Sequence, residues 1–307
     1  MTAAADLYSG FESRLATLGD VALFTRIGGK GPPLLLLHGY PQTHVLWHRV
    51  APALAAHFTL IIPDLRGYGA SSCPPSDGEH RAYAKRTMAL DVLRLMASLG
   101  HTRFSVMGHD RGARVAYRLA LDHPAAVERL VAIDILTTFD QWQPGQQLTR
   151  RRIFHWAFLA QPAPIPETLI GTNPVDWLEG RFRRGTMARS TDPIDPRAMA
   201  HYRASLSDPD RVHATCEDYR ASASCDLADD TDDRVAGRQI VAPTLVIWGS
   251  QGSLAEVGDP LAFWKPWCRS VEGILVEAGH YIPEENPTAL LAAALPFLIC
   301  DTKVIPP

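Results

Sequence analysis

An α/β fold, with helices on both faces of a mostly parallel central sheet, is predicted by three features of this sequence. Short apolar runs recur along the chain, helical patterns lie between them, and one run leads into a Gly-x-Asp-x-Gly turn. Leu34-Leu35-Leu36-Leu37 and Thr59-Leu60-Ile61-Ile62 are continuous rather than alternating runs bounded by Gly and Pro, as expected of strands buried on both faces. Arg103 to Met107, Leu130 to Ile133 and Leu245 to Trp248 extend the series, and Ile274-Leu275-Val276 is strand-like. Helical patterns span Arg86 to Leu99, Ala113 to Leu121 and Thr288 to Leu298. Such alternation places helices on both faces of the sheet.

The alternation stops between about Asp140 and Arg234, where helix-like segments are separated by Pro-rich stretches such as Gln161-Pro162-Ala163-Pro164-Ile165-Pro166. The expected organisation is a core made of 1–139 and 235–307 with a helical cap of 140–234 inserted into it. The insertion begins just past a strand's C-terminal end, the edge where open α/β sheets place their ligand crevices. A cap there would exclude water and strengthen the electrostatics beneath it. The acidic run Asp226 to Asp233 lacks EF-hand spacing and reads as a surface linker.

With 307 residues, 46% hydrophobic and 21% charged, the chain can bury a large core. A net charge of −3 offers no case for nucleic acid or an anionic membrane surface as a partner. Arg150-Arg151-Arg152 and Arg183-Arg184 are short clusters that read as solvated helix faces. The cysteines, Cys73, Cys216, Cys225, Cys268 and Cys300, are scattered and odd in number, with no metal-ligand spacing, so a reducing compartment is expected and no metal. The N-terminus lacks the pattern of a secretory signal, and no apolar stretch approaches the ~18 residues of a membrane helix. A cytoplasmic protein is the expectation.

Gly108-His109-Asp110-Arg111-Gly112 sits between a predicted strand and a predicted helix, the context of a nucleophile elbow, with aspartate where serine is usual. A serine attacks carbonyl carbon. A carboxylate that displaces a leaving group from saturated carbon forms an ester whose carbonyl belongs to the enzyme, and water can cleave it to restore the aspartate. A serine doing the same would end as an ether. The residue type therefore points to a leaving group on sp³ carbon, a halide or an epoxide oxygen.

The second step needs a base. His280, in Gly279-His280-Tyr281, follows a strand-like run and precedes the last helix, so the nucleophile comes early and the histidine last, as in α/β hydrolases. Asp134, at the end of Leu130 to Ile133, is the carboxylate expected to orient it, with Glu256 and Asp259 as weaker candidates and a helix or turn cap as its alternative role. His38-Gly39-Tyr40-Pro41 follows the first buried run, and the backbone N–H groups of Tyr40 and Arg111 are expected to form the oxyanion hole; His38 itself reads as scaffold. Arg111 and Arg114 occupy the first turn of the helix after the elbow, where the macrodipole disfavours cations. An anion should offset that cost, either the carboxylate of a small substrate or acids from the cap. His155 and Trp156, with Tyr219, carry N–H and O–H donors able to converge on one small anion, although periodicity alone would make them core aromatics.

Taken together, Gly108 to Val115, His38 to His44, Phe154-His155-Trp156, Glu217-Asp218-Tyr219-Arg220 and Gly279-His280 resemble the haloacetate dehalogenases, in particular the fluoroacetate dehalogenases of the α/β-hydrolase superfamily, over nearly the whole chain. The resemblance implies that Asp110 is the nucleophile, that Arg111 and Arg114 bind the substrate carboxylate, and that His155, Trp156 and Tyr219 hold the halide. It further implies that His280 with Asp134 activates water, that a 2-haloacetate becomes glycolate and halide without cofactor, and that the protein is a homodimer. Tyr40 departs from the family pattern, where Phe is expected, but its backbone role should survive. An epoxide hydrolase, with Tyr202 and Tyr219 as acids, is the alternative reading, disfavoured by two arginines beside the nucleophile. A haloalkane dehalogenase usually has Trp after the nucleophile, where this chain has Arg111. A noncatalytic small-acid sensor is the rival from another class.

Overall fold

The computed structural model describes residues 6–143 and 154–300. Among them the helices, in chain order, are α1 (Ala51–Ala55), α2 (Lys85–Ser98), α3 (Arg111–Asp122), α4 (Thr138–Trp142), α5 (Phe154–Leu159), α6 (Ile165–Thr172) and α7 (Pro174–Gly185). They continue with α8 (Pro196–Leu206), α9 (Pro209–Ala223), α10 (Cys225–Val235), α11 (Pro260–Trp264), α12 (Ile282–Glu285) and α13 (Pro287–Ile299). The strands are β1 (Glu12–Leu18), β2 (Val21–Gly29), β3 (Pro33–Leu37), β4 (Thr59–Pro63), β5 (Phe104–His109), β6 (Val127–Ile133), β7 (Thr244–Gly249) and β8 (Val271–Val276).

The strands form one eight-stranded sheet in the order β1-β2-β4-β3-β5-β6-β7-β8. From β4 through β8 neighbours are parallel, while β1 and β2 add an antiparallel edge. The apolar runs divide residue by residue between two cores, because strand side chains alternate. Leu35, Leu37, Val106, Leu130, Ala132 and Val246 join α2 and α3 on one face. Leu34, Leu36, Met107, Val131, Leu245 and Ile247 join α1 and α13 on the other. This is why the sequence shows continuous rather than alternating hydrophobicity. The antiparallel edge was not expected: in β1 four consecutive residues are exposed, so the strand has no apolar run to read.

Register fixes what leaves the sheet together. Leu37 pairs with Gly108 and His109 with Ile133, so the segments after β3, β5 and β6 emerge side by side at one edge. Gly249 pairs with Val276, which brings the segment after β8 to the same edge. Between β6 and β7 the described residues contain only helices, α4 to α10, packed over that edge.

The reading of Asp226 to Asp233 as a surface linker is overturned. Those residues lie in α10, and Asp226, Asp230 and Asp233 are buried. Arg118 on α3 donates to Asp230 at 2.6 Å and pairs with Asp233, while Lys85 reaches Asp226 at 3.3 Å. A buried carboxylate must be paired, and its partners here lie far away in sequence. Arg183 and Arg184 are exposed as expected, in the last turn of α7 where cations suit the helix dipole. Arg150-Arg151-Arg152 lies outside the described residues. No helix among the described residues is long and apolar enough to cross a membrane.

Candidate active site

Asp110 is the N-cap residue of α3 with φ 48° and ψ −119°. A non-glycine residue at such a φ costs about 1–3 kcal/mol and marks a place where the fold enforces an unusual geometry. Its neighbours explain how. A Cβ on Gly108 would lie 2.6 Å from the Gly112 carbonyl oxygen, and one on Gly112 would lie 2.3 Å from that of His38, so only glycine permits strand, turn and helix to pack this closely. Asp at an N-cap normally accepts a bond from its own helix. Asp110 does not. Its Oδ1 instead accepts a bond from the backbone N–H of Tyr40 at 3.0 Å, and its Oδ2 lies 3.7 Å from His280 Nε2.

His280 follows β8, and its Nδ1–H donates to Asp134 Oδ2 at 2.6 Å. Asp134, just beyond β6, sits at φ 53° and accepts a second bond from Gly249 N–H at 3.2 Å. The predicted Asp110, His280 and Asp134 are therefore brought together in the expected order. Asp259 instead caps α11 by accepting from Leu261 N–H at 3.0 Å. Burial by itself would push the Asp110 carboxyl up, but the charges of His280 and Arg111 and the Tyr40 N–H outweigh it and hold the group below its ordinary range. Burial would also lower His280, but its hydrogen bond to Asp134 and the charges of Asp134 and Asp110 lift it above its ordinary value.

His38 is scaffold: its Nε2 accepts from Leu65 N–H and its Nδ1–H donates to Gly39 O, both at 3.0 Å. The Tyr40 hydroxyl accepts a bond from Trp177 Nε1–H at 2.5 Å, so the oxygen that a Phe would lack ties the oxyanion segment to α7. Arg111 opens α3, where the first backbone N–H groups have no intrahelical partner.

The two arginines have different surroundings. Arg111 is fully buried and donates to Asp218 on α9, with Nη2 2.6 Å from Oδ1 and Nε 3.1 Å from Oδ2. Here the pairing with an acid of the insertion is realised. Asp218 also takes bonds from Lys85 and Tyr68, and burial, which would raise it, is overridden by Arg111 and Lys85. Of the Arg111 nitrogens, Nη1 alone has no hydrogen-bond partner among the described residues. Arg114 has no carboxylate within ion-pairing distance among the described residues. Its Nη1 donates to Thr138 Oγ1 at 3.2 Å, its Nε is buried without a partner, and its guanidinium lies over the Trp156 ring at 4.4 Å.

A cavity of about 290 Å³ opens over Asp110, lined also by His280, Arg114, Tyr40, His155 and Trp156. His155 and Trp156, on α5, reach its wall. Tyr219 and Arg111 pack against these two, with the Tyr219 ring edge-on to His155 and Trp156 at 5.7 and 5.5 Å and the Arg111 guanidinium 4.2 Å over the Tyr219 ring. His155 Nδ1 and the Tyr219 hydroxyl are buried with no hydrogen-bond partner among the described residues. Burial lowers His155 well below its ordinary value and raises Tyr219 well above, so both are neutral at pH 7. Tyr202 does not join them: its hydroxyl donates to Glu284 at 2.9 Å.

Sequence reasoning missed several residues here. His109 Nε2–H donates to the His280 carbonyl at 2.8 Å and holds that loop down; burial pushes the imidazole down to about 3, so it stays neutral. Gly185 O accepts the His280 N–H at 2.7 Å, which places α7 directly against the histidine. Gln141 on α4 and Arg181 on α7 line the cavity. His109 lies within the elbow motif and could have been noticed. The others depend on how the insertion folds back.

A mostly parallel sheet with an aspartate at the elbow after β5, an acid after β6 and a histidine after β8 defines an α/β hydrolase. The model of the alpha/beta hydrolase fold family matches residues 32–287, and the chain belongs to that family. A fluoroacetate dehalogenase from Burkholderia sp. is 41% identical over 281 residues, covering 92% of this chain and 91% of that protein. A soluble epoxide hydrolase from Corynebacterium sp. (strain C12) is 32% identical over 272 residues, covering 88% and 91%. Among solved structures, a putative alpha/beta hydrolase from Nostoc sp. PCC 7120 superposes with a TM-score of 0.92 at 43% identity, covering 95% of this chain and 99% of that one. The protein is a hydrolase of the α/β-hydrolase superfamily.

Proposed function

We propose that the protein hydrolyses 2-haloacetates to glycolate and halide through an ester on Asp110. The observation that carries this reading is the buried Arg114 guanidinium beside the elbow aspartate, with no carboxylate partner among the described residues. A buried cation without an anion is costly, and a substrate carboxylate held by Arg114 and the open Nη1 of Arg111 would relieve that cost while presenting the adjacent carbon to Asp110. The carboxylate attacks in line and the halide departs with the bonding pair. The neutral donors of His155, Trp156 and Tyr219 offer hydrogen bonds to it in a site shielded from water. His280, held by Asp134, then takes a proton from water, which attacks the Asp110 carbonyl while Tyr40 N–H and Arg111 N–H stabilise the oxyanion. Segment 140–234 acts as a cap over these groups, and the assembly is a cytoplasmic homodimer, which light scattering tests for its mass.

The 41% identical fluoroacetate dehalogenase supports this reading. The epoxide hydrolase relative keeps an alternative open, in which Tyr219 protonates an epoxide oxygen. Against it, an epoxide supplies no anion to Arg114, and Tyr202, the other acid that chemistry would use, is engaged by Glu284. Incubation with fluoro-, chloro- and bromoacetate should release halide and glycolate in equal amounts, and Asp110→Asn should lower the rate about ten-thousand-fold. Diol formation from epoxides with no halide from any haloacetate would overturn the proposal.

A further inference from the structure

The cavity is larger and more cationic than a haloacetate requires. One water takes about 10–15 Å³ of such a cavity, so about 290 Å³ exceeds the needs of a molecule with a handful of non-hydrogen atoms. Arg114 lines it near Asp110, and Arg181, Arg184 and Arg189 line it from α7 and the turn that follows. Arg181 is 8% exposed, yet among the described residues its guanidinium makes no hydrogen bond or ion pair and lies only near the Phe154 ring at 5.7 Å. Arg184 lies over the same ring at 4.7 Å, and Arg189 donates to the Arg184 carbonyl. By contrast, Arg183 next door is paired with Glu179 at 2.5 Å, so acids are available on this helix and are used away from the cavity. The segment 144–153 contains no Asp or Glu, so it holds no acid to neutralise these cations.

Arg111 and Arg114 suffice for one carboxylate. We infer that Arg181, assisted by Arg184 and Arg189, forms a second anion position in the same cavity, and that the enzyme accepts 2-halo dicarboxylates of the halosuccinate class. This rests on the haloacid reading above. One carboxylate meets Arg114, the carbon bearing the halogen faces Asp110, and the second carboxylate reaches Arg181. The Asp110 oxygen bonds to that carbon as the carbon–halogen bond breaks and the pair leaves on halide. Water then cleaves the ester, returning the aspartate and releasing a 2-hydroxy dicarboxylate and one proton. The second charge is recognised by guanidinium groups, which suit carboxylates in a bidentate geometry.

The test compares chloroacetate, 2-chlorobutanoate and 2-chlorosuccinate; the last two share a carbon count and differ in the second carboxylate. Halide and hydroxy acid are measured, with Asp110→Asn as the background. The expected kcat/KM for 2-chlorosuccinate is at least tenfold that for 2-chlorobutanoate, and Arg181→Gln should bring the ratio near one. A ratio of one or less in the parent enzyme, or one that Arg181→Gln leaves unchanged, overturns the second position while chloroacetate turnover preserves the dehalogenase reading. Halide from none of the three overturns that reading instead. Should Arg181→Gln fail to fold, malate and 2-hydroxybutanoate compete against chloroacetate in the parent enzyme. Malate is expected to inhibit at least tenfold more tightly, and equal inhibition overturns the proposal.

Discussion

The strand-end loops and the helical segment between β6 and β7 meet at one cavity, but they satisfy their polar groups differently. At the strand ends nearly every functional group has its partner within the protein: Asp110 with Tyr40, His280 with Asp134, and Asp134 with Gly249. In the segment between β6 and β7 and on the helix facing it, His155 Nδ1, the Tyr219 hydroxyl and Arg114 Nε are buried with no hydrogen-bond partner among the described residues, and the Arg181 guanidinium lies near the Phe154 ring. Buried polar groups are normally hydrogen-bonded, and in the proposed mechanism these are the groups that meet the substrate and its leaving group. In the proposed mechanism the strand ends hold the groups that make and break bonds, while α3 and the segment between β6 and β7 hold those that recognise what is attached to the reacting carbon.

If that division is right, substitutions at the strand ends change chemistry for every substrate alike. His280→Asn has the largest expected effect. Steady-state turnover should fall about a thousandfold, yet one equivalent of halide should appear in a burst and intact-mass measurement should show a glycolyl group on the protein. Normal turnover would remove His280 from its role as base. Next come the arginines, whose surroundings predict opposite phenotypes. Arg114→Leu should raise KM for chloroacetate about a hundredfold, consistent with losing about 1.5–3 kcal/mol from a charged hydrogen bond, while turnover of neutral chloroacetamide changes little. Arg111→Leu leaves Asp218 with only Lys85 and Tyr68 as partners and should destabilise the fold by about 1.5–3 kcal/mol in urea unfolding. Equal effects of Arg114→Leu on acid and amide would break the distinction.

Tyr219→Phe should be milder. Its hydroxyl has no partner among the described residues, so thermal stability should hold, while fluoride release falls about tenfold and bromide release less, because a departing fluoride needs hydrogen bonds most. Equal losses for the two halides would place Tyr219 outside halide solvation. The smallest effect is the pH profile. Protonated His280 cannot accept a proton from water, and its partners hold it above the ordinary histidine value of about 6.5. Activity should therefore fall as pH drops through a midpoint above that value, while Asp110, held low, stays ionised throughout. An acid limb in the carboxylate range would contradict this assignment.

The parts legible in the sequence were those made by contiguous residues. The runs at Leu34 to Leu37 and Leu130 to Ile133 announce strands buried on both faces, and Gly108 to Gly112 announces a turn whose glycines are demanded by backbone contacts below 3 Å. Asp134 and His280 were legible because Asp134 directly follows β6 and His280 lies in the loop after β8, and parallel strands bring their ends to one edge. β1 escaped notice because an edge strand with a solvent face carries no apolar run. Asp226 to Asp233 was misread because its sequence looks solvated until Arg118 and Lys85 are placed beneath it.

By itself, then, the sequence determined the α/β architecture, the aspartate at the elbow and the order of the groups that serve it, since local spacing and strand-end position dictate these. Only the tertiary structure decided which arginine already has an anion. Arg111 and Arg114 are equivalent in sequence, and the difference lies in Asp218, carried over the sheet edge by α9 to one of them. A charge's function depends on its nearest counter-charge, and across more than a hundred residues only packing sets that distance.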